Sequence, residues 1–532
     1  MIVRRVLALL LLLTAPRLFA DAPGVYAITG GTVHPVSGPE IPNGTVLIRN
    51  GLVEAVGAKV AIPPDAATID ATGLHVYPGL IDAQTSFGFA STTPRRGGFG
   101  GGGGGGGPQP PPPAEPTADS LALRTVKISD DDADSKRATG VLTINTAPAN
   151  GIFNGQSVVL NLGTGSVESR AIKHPAAMEV AFNTRPTWTW PDSLMGVISY
   201  IRQMLFDAQQ HSAARAIYEK SPAGLERPAQ NPALDALVPV LSRDLPVIFA
   251  ADSEEMIRRV QKIANEFNLR YVIAGAREGY AMAGDLKNVP VLVSVKWATA
   301  PADKEDREEQ PLRLIRERQL APTTPSEFVK NGVQFALVSG PGKTGDFLPG
   351  IRKAIDNGLS ADDALRATTL WPARILGVDR QLGSLDRGKI ANVVVTDKPI
   401  FTKEAKVKRV FVDGREIRLT APEEKKEGAG GETSPAAGTW SVSVRVPSGN
   451  VAMQFTLKVE DGKVSGTFSG DRGSGEVRSG TFDGTTLELT ISVQTGGETG
   501  DWVFHGTVAE SKVSGTVTTT IGQFDFTGSK TP

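Results

Sequence analysis

The chain contains no cysteine. That absence excludes disulfides, thiolate zinc sites, iron–sulfur clusters, cysteine nucleophiles and a lipid-modified N-terminal cysteine. Histidine is nearly as scarce, with 5 in 532 residues, so any site needing several imidazoles must draw on His34, His75, His174, His211 and His505. An excess of either charge is also missing. Lys+Arg total 56 against 57 Asp+Glu, a net charge of -1, which gives no electrostatic reason to expect a nucleic-acid partner. No segment approaches the 18 or so uninterrupted apolar residues of a membrane-spanning helix. What is present is ordinary globular material, 40% hydrophobic and 21% charged, with length enough for about three or four folding units.

The N-terminus reads as an export signal over residues 1–22. Arg4 and Arg5 precede the apolar run Val6 to Leu13, and small residues follow at Ala20 and Ala22 as alternative cleavage points. The mature protein is expected to be periplasmic or secreted, with no membrane association once the signal is removed. Two segments lack the composition to pack. Residues 94–116 hold the unbroken glycine run Gly100 to Gly107 and the prolines Pro110 to Pro113, and 421–437 mixes charge with Gly and Pro as an interdomain linker.

Between these lie two textures. Residues 23–76 and 385–420 are short β-runs cut by turns, including Thr45 to Ile48 against Asn50-Gly51 and Val407 to Val412 against Asp413-Gly414. These flanks are expected to close one small sheet domain. Residues 77–384 alternate strands and helices. Leu194, Val197, Ile198, Ile201, Leu205 and Ala208 keep helical spacing within Pro191 to Gln210, Ser253 stands at an N-cap, and Ser360 with Asp363 forms a capping box. Repeated βα units predict a parallel sheet, open or closed into a barrel. From 438 to 532 the pattern is purely period-two, and Lys463-Val464-Ser465-Gly466-Thr467 recurs as Lys512 to Thr516. About eight antiparallel strands of this length would close a small up-and-down barrel.

Several motifs resemble the amidohydrolase superfamily, in its imidazolonepropionase-like branch. At the front stand Asn43-Gly44-Thr45-Val46-Leu47-Ile48, Asp70-Ala71-Thr72-Gly73 and Pro78-Gly79-Leu80-Ile81-Asp82-Ala83. At the back stand Ala364 to Thr369, Pro372-Ala373, Gly383-Ser384-Leu385, Gly388-Lys389 and Val412-Asp413-Gly414. The resemblance covers residues 26–418. It implies an α/β fold: a distorted TIM (β/α)8 barrel with a small composite β-sandwich from both flanks, the C-terminal antiparallel β-barrel being an addition. It also implies hydrolysis of non-peptide carbon–nitrogen bonds, in which divalent ions polarise a carbonyl and acidify a bound water.

The family's metal ligands are an H-x-H pair after the first strand, single histidines on two middle strands, an aspartate on the last and often a lysine. Here the first motif leads into Gln84-Thr85-Ser86, and the later positions fall at Ala250, Gly275 and Gly340. None of these supplies the imidazole or carboxylate that zinc requires. The resemblance therefore implies either a degenerate member with no cofactor, acting as a binding or scaffold module, or a working hydrolase whose zinc is held by Asp252, Glu278 or others. A third reading places the activity in the C-terminal barrel, which would bind an apolar ligand or a partner. Gln84, Ser86, Asp252, Arg277, Glu278, Tyr280 and Ser339 are the candidates for the barrel mouth, where a small molecule or a protein segment would bind, and the Gly/Pro segment is expected to emerge on that face. Three further motifs read as structure. Ser129 to Asp134 lacks the glycine and distal glutamate of a calcium loop and reads as a solvated acidic loop. Gly342-Lys343-Thr344 lacks the first glycine of a P-loop. Gly155-Gln156-Ser157 lacks the second glycine of a nucleophile elbow.

Overall fold

The computed structural model describes residues 24–89, 117–149, 151–184, 190–301, 310–341, 347–419 and 434–530, the last apart from residues 447–448, 461, 471–472, 496–497, 510 and 520–521. The expected signal segment, the Gly/Pro segment, most of the linker and the Gly342-Lys343-Thr344 motif lie outside these residues. Two compact units result, one reaching to Leu419 and one beginning at Thr420. Among the described residues no helix is long and apolar enough to cross a membrane.

The first unit opens with β1 (Tyr26–Val33), β2 (Ile41–Arg49), β3 (Leu52–Gly57), β4 (Ala67–Asp70) and β5 (His75–Pro78). The chain then enters a barrel. Its strands are β6 (Leu80–Thr85), β7 (Val141–Thr146), β8 (Phe153–Gln156), β9 (Val158–Asn161), β10 (Ala171–Lys173), β11 (Met178–Val180), β12 (Val247–Ala251), β13 (Tyr271–Gly275), β14 (Val291–Ser294) and β15 (Phe335–Val338). β11 through β15 run parallel, each beside the next. β8 and β9 are one bent stretch, joined at Ser157, pairing antiparallel with β11 through β8 and with β7 through β9. That stretch is inverted because the link from β7 is too short for a crossover helix, and parallel neighbours need about a dozen connecting residues. Here lies the distortion of the (β/α)8 pattern. The Gly155-Gln156-Ser157 motif falls at this bend, with the Ser157 hydroxyl turned to the Ala177 carbonyl.

The barrel closes where β6 meets β15. Among the described residues a single Thr85–Gly340 bridge joins the backbones there, through the bond from the Gly340 amide to the Gln84 carbonyl. Side chains complete the seam. Asp82, fully buried on β6, accepts from the Ser339 amide at 2.9 Å and the Ser339 hydroxyl at 2.5 Å. The ammonium of Lys136, itself buried, stands 3.2 Å from the same carboxylate. Lys136 comes from a helix, Asp130–Arg137, that replaces the expected acidic loop. Ser129 caps it, accepting from the Asp132 amide, and Asp130, Asp131 and Asp132 sit in the first turn, where negative charge is favourable.

The surrounding helices follow their sequence signals. Ser253 caps Glu254–Glu266 and Ser360 caps Ala361–Ala367, its hydroxyl also donating to Asp363. The helix expected to Gln210 runs from Leu194 to Lys220. Its last turns carry no apolar stripe but are good helix formers, and Arg215 and Glu219 pair one turn apart until Pro222 ends the run.

After the barrel, β16 (Val393–Thr396), β17 (Val407–Val412) and β18 (Arg415–Ile417) return to the first sheet, in the order β18-β17-β16-β5-β1-β2-β3 with β4 beside β1. The sheet curls until β3 meets the segment before β16: the Val53 amide donates to Lys389 and the Ala391 amide to Gly51. Ile28, Val46, Val76, Val393 and Phe411 fill the enclosed core.

The second unit is a closed antiparallel barrel of β19 (Gly438–Val446), β20 (Gly449–Glu460), β21 (Lys463–Gly470), β22 (Gly473–Phe482), β23 (Thr486–Thr495), β24 (Glu498–Ala509), β25 (Lys512–Thr519) and β26 (Gly522–Lys530). The repeated pentapeptide opens β21 and β25, the third strand of each four-strand half. Its glycine has a shared reason: a Cβ on Gly466 or Gly515 would lie 2.0 Å from the carbonyl oxygen of Thr456 or His505 on the preceding strand. Inside, Phe504 packs edge-on against both Phe455 and Phe526, beside Trp502 and Phe468.

Breaking the seam by Asp82→Ala leaves Lys136 buried without its partner and Ser339 without its acceptor. Such changes cost about 3–5 kcal/mol, so the urea midpoint of the first unit is expected to fall sharply. Asp363→Ala, at an exposed cap, is expected to cost about 1 kcal/mol or less.

Candidate functional site at the barrel mouth

The C-terminal ends of the barrel strands surround a cavity of about 660 Å³, within the usual size of a small-molecule site. Gln84, Ala250 and Gly275, three of the inherited ligand positions, line it together with Asp252 and Arg277. Its lining is mixed, with the apolar Phe182, Leu194 and Met256 and the polar Asn183, Ser294 and Lys296. The Lys296 ammonium donates to the Pro341 carbonyl.

Beneath Gln84 lies a group that sequence reasoning missed. Glu179 on β11 is buried, and the Gln84 side-chain amide donates to its carboxyl at 3.3 Å. Burial pushes this carboxyl up to about 8, against the opposing pull of hydrogen bonds from Gln84 and Asn145. Among the described residues no Lys, Arg or His contributes to its stabilisation. Asn145 on β7 uses its amide N–H on the Ala83 carbonyl at 3.0 Å, which fixes its orientation and leaves its buried Oδ1 with no donor. The available signal was a lone charged residue within the apolar run Ala176 to Phe182.

The other candidates separate by place. Asp252 and Arg277 pair at 2.9 Å, and Arg277 also reaches Glu317 at 3.4 Å. Glu278 does not line the cavity: it accepts from the Glu254 amide and pairs with Arg313. Tyr280 sits beside Glu278 with its amide on Thr324, and burial raises its phenol. Ser86 follows β6 outside the cavity wall, its carbonyl accepting from Phe89. Ser339 faces the seam and not the mouth. None of the five histidines lines the cavity; His34 and His75 contact each other at 3.1 Å in the composite sheet, and His211 pairs with Asp235.

The residues present do not fit zinc. Among the described residues no group of three or more His, Asp and Glu is placed to hold a metal ion. Sterics reinforce the loss of donors. A Cβ on Gly275 would lie 2.3 Å from Asp252 Oδ1, so a side chain there would displace the Asp252 carboxylate, and the φ of +103° at Gly275 disfavours any L side chain. Gly340 has a φ of +67°, a left-handed conformation that an aspartate would strain.

Comparison with known proteins bears on this arrangement. The pattern described as the Amidohydrolase family matches residues 323–417, from ahead of the last barrel strand through the returning flank. A crystal structure of an amidohydrolase from Thermotoga maritima MSB8 superposes with a TM-score of 0.62 at 24% identity, over 74% of this chain and 99% of that one. The larger unit has the amidohydrolase fold, and its C-terminal part matches the family pattern. Weaker likenesses within the same fold space include a prolidase complexed with n-methylphosphonate-l-proline, with TM-score 0.45 at 18% identity over 74% of this chain and 99% of that one. An adenosine deaminase from Xanthomonas campestris with bound zinc gives TM-score 0.40 at 15% identity, over 74% and 93%. The positions that the sequence resemblance marks as ligands carry Gln84, Ser86, Ala250, Gly275 and Gly340 in this barrel.

The raised Glu179 carboxyl has a consequence for stability. Between its ordinary 4.5 and about 8 the folded state holds a proton that the unfolded state releases, so stability falls as pH rises through that window. The slope approaches roughly 1.4 kcal/mol per pH unit for one proton. Glu179→Gln removes the titration and keeps the shape. Thermal unfolding across pH 4 to 9 is expected to show the variant level with the parent at the acid end and more stable at the alkaline end.

Proposed function

We propose that this chain is a degenerate member of the amidohydrolase superfamily whose barrel mouth binds a ligand without the family's metal-assisted hydrolysis. One observation carries the reading: the inherited donor positions hold Gln84, Ser86, Ala250, Gly275 and Gly340, and Asp252 fills the space beside Gly275. Gln84 is held by an acid that burial keeps protonated near neutrality, the reverse of what a carboxylate ligand to a cation requires. The carboxylates that could have rebuilt a site are engaged, Asp252 by Arg277 and Glu278 by Arg313 and the Glu254 amide.

What remains is a preformed cavity of mixed apolar and polar lining, which suits a small molecule or the side chain of a protein segment. Nucleic acid is an unsuitable partner, given the net charge of -1. We further propose export to the periplasm or beyond, carried by the arginine-then-apolar pattern of residues 1–22 and the small residues that close it.

Metal analysis of protein purified without chelators is expected to find well under one equivalent of zinc per chain. One or more tightly held equivalents, lost on Asp252→Asn or Glu278→Gln, would instead establish a rebuilt metal site and a working hydrolase. For export, N-terminal sequencing of the mature chain is expected to begin at residue 21 or 23, and recovery of intact Met1 in the cytoplasmic fraction would refute it.

A further inference from the structure

The chain has only 5 histidines, yet two of them touch. His34 follows β1 and His75 opens β5, with His34 Nε2 and His75 Nδ1 3.1 Å apart. The contact sits at a thin joint, because β1 and β5 share only the pairs Thr32–His75 and Val33–Val76. Two imidazole nitrogens form a hydrogen bond only while one carries a proton and the other keeps its lone pair. The surroundings suit one positive charge and no more. Glu40 stands 3.5 Å from His34 Nδ1, and the Tyr77 ring lies parallel to His34 at 4.3 Å, presenting a face that attracts a single cation. A second proton would set two cations against each other with no lone pair between them.

The segment after His34 is strained. Val36 has a φ of +74°, a left-handed conformation that a β-branched residue rarely adopts and that only its surroundings can hold. The Leu385 amide donates to the Pro35 carbonyl at 3.1 Å, the Ser37 hydroxyl donates to Asp386, and the His34–His75 contact holds the head of the segment. His34 and Glu40 also line two cavities, of about 590 and 640 Å³. With 17% of its side chain exposed, His34 is within reach of solvent protons.

We propose that His34 and His75 form an acid-sensitive latch: once both rings are charged they part, and the strained segment 35–40 is released from Leu385 and Asp386. The inference concerns the composite sheet and does not rest on the reading of the barrel mouth. Charged groups face the pair from every side. Arg352, Asp356 and Lys403 line one cavity, Arg366, Arg374, Asp379, Asp386 and Lys389 the other, and Asp362 both. Burial lowers His34 from its ordinary 6.5, opposed by Glu40, helped by His75 and opposed again by Asp362. A histidine lowered in this way contributes stability that is present above 6.5 and lost as pH falls below it. Glu179 titrates with the opposite sign, its contribution being kept in acid, so the latch must be read locally and not from global melting.

The test compares the full chain at about pH 7.5 and about pH 5, on either side of the imidazole range. Hydrogen exchange read by mass spectrometry, corrected for its intrinsic pH dependence, is expected to rise in acid over residues 34–40, by up to about tenfold per pH unit. The parallel strands β12 to β15 are expected to stay protected. His75→Gln keeps a polar side chain that cannot take a charge, and it is expected to hold the segment equally protected at both pH values. Ring-proton magnetic resonance supplies a second measurement. The signals that survive in His174→Gln, His211→Gln and His505→Gln belong to the pair, so neither latch residue need be altered. In the parent protein these two signals are expected to titrate together in two separate steps, the second coinciding with the gain in exchange. Equal protection of residues 34–40 at both pH values overturns the latch. So does acid opening of His75→Gln to the parent's extent, or independent single-step titration of the two rings.

Discussion

A closed barrel depends on its last strand finding its first, and here that meeting rests on one carboxylate. Among the described residues, backbone bonding between β6 and β15 is sparse, a single Thr85–Gly340 bridge that includes the bond from the Gly340 amide to the Gln84 carbonyl. Asp82 supplies what the ladder lacks, taking the amide and hydroxyl of Ser339 on one side and the Lys136 ammonium on the other. The pair is deeply buried, and an ion pair of that kind gains little net energy but makes a mismatched arrangement very costly. Its role is to fix register. The mouth inherits that precision, because Gln84 lies two residues beyond Asp82 and the Gly340 amide bonds its carbonyl.

On the proposed reading, the mouth reverses the polarity of a metal site. A metal site gathers deprotonated donors around a positive charge, which offsets their repulsion and desolvation. In this chain the central carboxyl instead keeps its proton, with side-chain amides around it. The one strong ion pair at the rim, Asp252 with Arg277, is internally neutral and takes the room that a side chain on Gly275 would need. The replacements support one another. Glycine at 275 admits Asp252, and glutamine at 84 donates to an acid that would otherwise stand unsatisfied.

The overall architecture was legible from sequence because it is written in local patterns and ordered motifs. Asn50-Gly51 and Asp413-Gly414 announce the flanking hairpins, Ser253 and Ser360 announce helix starts, and the repeated pentapeptide announces the two-part terminal barrel. The inverted β8–β9 stretch was not legible, since a short apolar run does not show its direction. Nor was the helix at Asp130, where a run of like charges reads as solvated until Ser129 is seen to cap it. The mouth was half legible. Inherited positions located Gln84, Ala250 and Gly275, but Glu179 and Asn145 belong to no motif, and their meaning arises only when β6, β7 and β11 bring them together. Ser339 shows the opposite failure: a polar residue at a strand end, beside an inherited ligand position, turns out to bond the seam.

The composite sheet has a consequence for how the chain comes to be folded. β5 pairs with β1 through only Thr32–His75 and Val33–Val76, whereas its other edge is matched along its whole length by β16. During synthesis β16 emerges only after every strand of the barrel, so Val76 and Tyr77 wait with one edge open until then. A growing chain must therefore hold an unfinished, adhesive edge for most of its production time. The barrel cannot lean on a finished base while it assembles, and the base cannot finish until the barrel has delivered β16. The returning flank thus ties the start of the domain to its end.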